Sequence, residues 1–553
     1  MGTDLFDYVI VGGGSAGSLL AARLGDSGAT VCVLEAGPTD SNPFIHMPAG
    51  FVKTLFNPKL TWRFQSEPSA GSGGRRVETT QGKTLGGSSS VNGMVFVRGQ
   101  SADYDTWRQK GNRGWSYADV LPYFKRLEHR IGAADETYRG RDGALPVTDV
   151  DWHHPLCEAF IAGAVGLGYP RNPDYNGATQ AGAGYYQRVI HRTRRVSAAR
   201  AFLYPAMKSG RISVRTDAQA TAIILVDQRA AGVRYAVGGP GGAIREVRAN
   251  REVIVASGTV NSPKLLQLSG IGPPGLLQDH GIEIRHAAAG VGENLSDHYS
   301  PRIVVRAKNT GTINNLVRGP RLLGELAKWT MRRPSVLGLS AAVVYAFGKS
   351  EPSMEAPDFT CIFTPASYRA GVLGALDTFP GMTCGAWQMR PESTGHVRIR
   401  SADPADLPLI QPNYLAAEKD KQILLAAIRG ARRILAAPEL AQYYDREELP
   451  GAQAATDDEL LDFARQYGSS CYHLVGTCRM GPAHDPSAVV DDELRVRGVQ
   501  ALRVVDASIM PAMTSANTYA TALMIAEKAA DLILGRAALV RADAHDTPQQ
   551  AVG

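Results

Sequence analysis

The feature that most constrains this chain lies at its start. Residues 6–11 form an apolar run that enters Gly12-Gly13-Gly14-Ser15-Ala16-Gly17. This reads as a strand, a glycine-rich turn and a helix over residues 15–24. Gly12 permits the tight turn, Gly14 lets the backbone approach a pyrophosphate, and Gly17 lets the helix pack on the sheet. The phosphates then meet free N–H groups at the helix N-terminus. A second strand over residues 30–34 ends in Glu35, about twenty residues past the turn, where a carboxylate accepts adenosine ribose hydroxyls. Glycine-rich turns alone are common. Strand, helix and Glu35 together predict a dinucleotide site without a 2′-phosphate, and leave NAD and FAD both open.

The far end of the chain carries a second constellation. Tyr472-His473 and Asp506-Ala507-Ser508 precede Ser515-Ala516-Asn517-Thr518, which opens a helix over residues 518–534. Asn517 or Thr518 is a natural N-cap. The bland alternative is an ordinary capped surface helix.

With 553 residues, 44% of them hydrophobic, the chain has material for two or more domains. A net charge of +6 is mild at this length, and Arg192, Arg194 and Arg195 form the densest basic cluster, without an aromatic stripe. Neither nucleic acid nor an anionic membrane is expected as a partner. The six cysteines are scattered and match no zinc pattern, so no disulfide framework and no metal site are expected. The fold starts near residue 6, no apolar run reaches a membrane span, and a cytoplasmic location is expected.

Three apolar strands end at notable positions: 8–11 at Gly12, 253–256 at Ser257-Gly258, and 502–505 at Asp506. Ligands gather at such strand ends in doubly wound α/β sheets. The expected fold is therefore α/β, α+β overall, with a Rossmann-like domain assembled from residues 1–155, 196–299 and 466–535. Residues 156–195 and 300–465 are expected to form a substrate domain with an antiparallel sheet and helices. Its strands are placed at 342–347, 358–363 and 396–399, and its helices at 418–436 and 457–467. Gly535 ends the last helix, and residues 536–553 read as a mobile tail.

These blocks resemble the glucose–methanol–choline (GMC) oxidoreductases, an FAD-dependent family. Gly86-Gly87-Ser88-Ser89-Ser90-Val91-Asn92-Gly93 is similar to the family's first signature, and residues 258–272 to its second. Val291-Gly292-Glu293-Asn294-Leu295-Ser296-Asp297-His298 and the C-terminal block also match. The likeness spans residues 7 to 534. Residues 43–48 and 172–177 look most like bacterial sorbose and aliphatic-alcohol dehydrogenases. The resemblance implies that Gly12, Gly14, Ser15 and Gly17 hold the FAD pyrophosphate, and that Glu35, with Ala36 beside it, holds the adenosine ribose. It places Trp62 and Ala220 around the adenine. Gly86, Ser90, Asn92 and Gly93 then line the flavin. Asp506 and Thr518 serve its ribityl and pyrimidine sides, with Tyr472 and Ala507 also on the cofactor side. His473 and Asn517 are implied to face the reactive flavin nitrogen. Members that tether FAD carry a histidine where this chain has Val91, so FAD is expected to be bound without a covalent link.

Oxidising an alcohol removes a proton from oxygen and a hydride from carbon. Imidazole, with an ordinary pKa of about 6.5, suits the proton. His473 is the expected base and Asn517 the group that orients the substrate oxygen. His298 is read as structural. The expected enzyme is thus an FAD-dependent alcohol dehydrogenase or oxidase acting on a sugar, polyol or aliphatic primary alcohol. Its acceptor (oxygen, a quinone or another) and its oligomeric state are open. A lyase or photodecarboxylase on the same flavin fold is the rival. A non-catalytic flavoprotein needs a broken site, and an NAD enzyme leaves the C-terminal block without purpose.

Overall fold

The computed structural model describes residues 4–369 and 374–541. Strands Ile212–Arg215, Val31–Leu34, Leu5–Val11 and Ile244–Val255 lie side by side and parallel. The last of these forks. Its first half pairs antiparallel with Arg229–Val237, itself hairpinned to Ala218–Val226. Its final residues pair parallel with Leu502–Val504. Residues 8–11, 31–34 and 253–255 are buried apolar runs, as parallel strands covered on both faces must be. Helices Ser15–Asp26 and Thr518–Ile533 pack together.

The three strand ends singled out in the sequence are therefore neighbours. Ala256 N donates to Val11 O at 2.8 Å, and Val505 N to Val255 O at 2.8 Å. Pieces from the beginning, middle and end of the chain build one doubly wound sheet, as expected.

A six-stranded antiparallel sheet follows the order Tyr444–Leu449, Arg302–Ala307, Gly381–Gln388, Phe359–Thr364, Val344–Gly348, Gly182–Tyr185. Its strands alternate faces. Ile303, Val305, Cys361, Phe363, Cys384 and Ala386 join a core beneath helices Pro155–Gly166, Glu418–Leu435 and Asp457–Tyr467. Arg302, Val304, Ile362, Thr364, Gly385 and Trp387 face a cavity instead.

The strand expected at 396–399 exists as Gly395–Arg398 but belongs to a different sheet, between Glu293–Leu295 and Leu409–Gln411. A Cβ at Gly395 would sit 1.6 Å from Gln411 O, so this pairing needs glycine there. After Gly535, whose φ is +62°, residues 536–541 have no regular structure. Arg541 Nε there donates to Asp119 at 2.6 Å. The remainder of the expected tail, 542–553, lies outside the described residues.

Candidate active site

The glycine-rich turn is built from steric necessity. Gly12 has φ +105°, and a Cβ there would lie 2.4 Å from Ala256 O. A Cβ on Gly17 would lie 1.9 Å from Gly12 O. Gly14 differs: its Cβ would meet only Gly87 Cα, at 3.8 Å, leaving room above it. Helix Ser15–Asp26 starts there without a side-chain cap or an acidic residue in its first turn. Its leading N–H groups are left for an anion. Glu35 accepts from Gly13 N and Gly37 N, each at 2.9 Å. Burial pushes its carboxyl up to about 7 against the pull of those donors.

From this turn a cavity of about 1080 Å³ runs to the C-terminal block. Gly12, Gly14, Ser15, Glu35 and Ala36 line one end. Trp62 and Ala220 line its flank, the Trp62 ring covered by Lys83 Nζ at 4.3 Å. Asn92 and Gly93 line the middle, and Asn92 Oδ1 accepts from Arg195 Nη1 at 2.8 Å. Gly17, Gly86 and Ser90 lie behind the lining. Gly17 packs under Gly12, and Ser90 Oγ donates to Leu85 O at 2.6 Å across the bend made by Gly86. Asp506, Ala507, Tyr472 and Thr518 close the other side. Asp506 ties two strand ends together: its Oδ2 accepts from Gly258 N at 2.9 Å and Ser262 Oγ at 2.5 Å.

His473 and Asn517 meet on the cavity lining. Asn517 occupies the N-cap position of Thr518–Ile533, yet its side chain caps nothing. Its Nδ2 lies 2.9 Å from His473 Nε2 instead. Trp387 stands edge-on to the imidazole, with ring centroids 6.2 Å apart. Tyr472 adopts φ +63°, unusual for a bulky residue, and thereby aims the next side chain. The His473 N–H donates to Asp297 Oδ1 at 2.8 Å, while Ser470 Oγ and Tyr414 Oη each donate to Asp297 Oδ2 at 2.6 Å.

Behind His473 stands His298. Their Nδ1 atoms are 2.9 Å apart, and His298 Nε2 is 2.7 Å from Met389 O. A carbonyl only accepts, so His298 Nε2 carries hydrogen and its Nδ1 a lone pair. His473 Nδ1 must then donate, which leaves the lone pair on Nε2, toward Asn517. Burial pulls His298 down to about 4, and burial followed by His298 holds His473 well below its ordinary range. Both rings are neutral at pH 7.

These residues fit FAD. The turn and open helix end suit a pyrophosphate, the cavity continues for a long dinucleotide, and Tyr472 Oη is buried there without a partner among the described residues. The GMC oxidoreductase family model matches residues 6–300 in its N-terminal part and 391–526 in its C-terminal part. The chain is a GMC oxidoreductase. It is 41% identical over 541 residues to an oxygen-dependent choline dehydrogenase of Brucella suis, covering 97% of each. It is 39% identical over 542 residues to an alcohol dehydrogenase [acceptor] of Pseudomonas putida, covering 98% of each. The crystal structure of pyridoxine 4-oxidase from Mesorbium loti superposes with a TM-score of 0.86 at 30% identity, covering 96% of this chain and 99% of that one. As a member of this family, the protein is an FAD-dependent enzyme that oxidises an alcohol CH–OH group. The comparisons give no support to the lyase alternative.

Sequence reasoning left His298 as a structural residue and passed over Met389, Trp387 and Arg302. One signal was available for the first, since Asp297-His298 closes a family-like motif. Its partner becomes evident only when Tyr299–Ser300 pairs antiparallel with Ser469–Ser470.

Proposed function

We propose that His473 is the base that takes the alcohol proton and that Asn517 orients the alcohol oxygen. The observation that carries this reading is the hydrogen-bond chain from Met389 O through His298 to His473, which leaves an unprotonated Nε2 beside the Asn517 amide. FAD, when bound, supplies the acceptor for the hydride. A hydroxyl placed between Nε2 and the amide gives its proton to Nε2. The imidazolium so formed keeps its Nδ1–H bond to His298, now charge-assisted. The uncapped N-terminus of Thr518–Ile533 also adds positive potential at this end of the cavity.

FAD is held here without a covalent bond, since the lining residue at the tethering position is Val91. Glu35 and the turn serve the adenosine diphosphate half, and residues 86–93 with Asp506 the flavin half. The parallel sheet is the FAD domain and the antiparallel sheet, inserted through 156–195 and 300–465, the substrate domain. Six unpaired thiols support a cytoplasmic setting.

The substrate is an alcohol without a cationic tail. Arg302 lines the cavity opposite Gly385, on the face that carries Trp387, and has no ion-pair or side-chain hydrogen-bond partner among the described residues. The carboxylates on the lining are engaged: Glu35 and Asp506 by backbone N–H groups, Glu78 by Arg63. A quaternary ammonium such as choline would meet repulsion without a counter-charge. Anaerobic addition of a neutral primary alcohol should bleach the flavin. No bleaching by any alcohol would contradict the activity, and a clear preference for choline would contradict the substrate class.

A further inference from the structure

Helix Gly319–Thr330 is built inside out. Of its twelve residues only Glu325 is buried, and Trp329 is half-buried. Leu322, Leu323 and Leu326 are 37%, 69% and 40% exposed, and Met331 just beyond is 57% exposed. An amphipathic surface helix ordinarily turns its leucines to the core. Here polar groups hold it down instead. Glu325 Oε2 accepts from Val336 N at 2.9 Å, the Glu325 carbonyl accepts from Ser335 Oγ at 2.9 Å, and Trp329 Nε1 donates to Thr193 O at 2.9 Å.

Charge surrounds this apolar face. Residues 318–333 contain Arg318, Arg321, Lys328, Arg332 and Arg333, all exposed, against the single carboxylate of Glu325, which is paired with Lys328. Exposed Arg192 and Arg194 join them, because Trp329 binds the loop between them and the Arg194 guanidinium lies 5.9 Å from its ring. Two of the three arginines of the basic cluster conspicuous in the sequence belong to this patch, while Arg195 turns inward to Asn92.

The patch adjoins the cavity. Arg318 donates to the carbonyls of Thr378 and Asp377, at 2.8 and 2.5 Å, close to Gly374 and Ala375, which line the cavity with Val52 and Phe56. The turn Val336–Gly338 beneath the helix contacts Pro48–Gly50, which leads into those same lining residues.

We propose that this helix docks the enzyme on an anionic phospholipid surface. The leucines and Met331 enter the acyl boundary while the cations other than Lys328, which Glu325 engages, meet phosphate headgroups. A second copy of the chain would bring cations against cations, and a nucleic acid would leave the leucines in water. Only an anionic bilayer satisfies both halves of the patch. A whole-chain charge of +6 conceals this concentration, which is why composition alone excluded a membrane surface.

The test is co-sedimentation of the FAD-loaded full chain with vesicles of phosphatidylcholine alone or mixed with phosphatidylglycerol. Binding is expected only to the anionic vesicles, and should weaken as salt rises from about 0.1 M to about 1 M and screening shortens. Leu322→Ser/Leu323→Ser/Leu326→Ser and, separately, Arg332→Glu/Arg333→Glu should each lower the partition coefficient on the order of tenfold or more. Flavin content and alcohol turnover with a dye acceptor should stay unchanged in both, which excludes misfolding. Wild-type protein left in the supernatant with anionic vesicles at low salt would overturn the proposal. So would binding retained by the leucine variant, or a vesicle-free dimer that this variant converts to monomer, which would assign the face to a second copy.

Discussion

His298 Nδ1 lies 2.9 Å from His473 Nδ1, and the Met389 carbonyl behind it sets the tautomer of both rings. The lone pair is thereby delivered to His473 Nε2. His298 does not itself line the cavity and reaches it only through His473; in the proposed mechanism it is a positioning residue. His298→Leu should retain FAD yet slow flavin reduction by about ten- to a hundredfold, the worth of a hydrogen bond to a charged group. His298→Gln, which can accept from Nδ1–H, should recover part of the rate. Anaerobic stopped-flow on both variants is the check, and equal rates in Leu and Gln would show that the acceptor at this position is irrelevant.

The same pair makes a pH prediction. Both histidines have folded pKa values depressed below the unfolded value near 6.5, His298 to about 4. Their contribution to stability is present above pH 6.5 and is lost as pH falls toward 4. For His298 it is on the order of 3 kcal/mol. Glu35 and Asp297, raised by burial to about 7 and about 6, act in the opposite sense, so the clean observable is a difference. The Tm gap between wild type and His298→Asn should be wide at pH 7 and narrow steadily toward pH 4.5. A gap independent of pH would mean that His298 is charged or exposed.

Glu35 braces the turn as well as facing the cavity. Glu35→Ala strands two buried N–H donors, those of Gly13 and Gly37. FAD affinity should fall by about ten- to a hundredfold, and the flavin-free protein should also lose about 1–3 kcal/mol per stranded donor. Flavin titration and thermal melts of the apo form measure the two effects separately. Unchanged apo stability would refute the bracing role.

Much of this was legible in the chain because it is local. The apolar runs that stop at Gly12, Ser257 and Asp506 announce strand ends, and those ends carry the site. His473 and Asn517 stand out through the C-terminal block that resembles the family, which also places an amide at a helix start. What sequence could not supply was pairing across distance. Alternation around residue 396 marks a strand but not its sheet, which is decided by Gln411 crowding Gly395. His298 reaches His473 only through a strand pairing that brings residues 175 apart together. Asn517 reads as a cap, yet its side chain caps nothing and its Nδ2 lies 2.9 Å from His473 Nε2, a partner 44 residues away that the local pattern does not reveal.

Val91 lines the cavity, and the family resemblance of residues 86–93 implies a histidine at this position in members that tether FAD. Acid precipitation should release all FAD into the supernatant. Yellow colour left in the pellet, mapped to a peptide, would contradict non-covalent binding.

In the proposed mechanism His473 takes the alcohol proton. The most direct test is anaerobic stopped-flow reduction of FAD-loaded His473→Ala by a good alcohol substrate across pH 6–9. A positioned general base contributes roughly 10²–10⁴-fold, and the variant should be slower by that factor with its flavin content intact. Reduction at the wild-type rate throughout this range would rule His473 out as the base and move that role elsewhere.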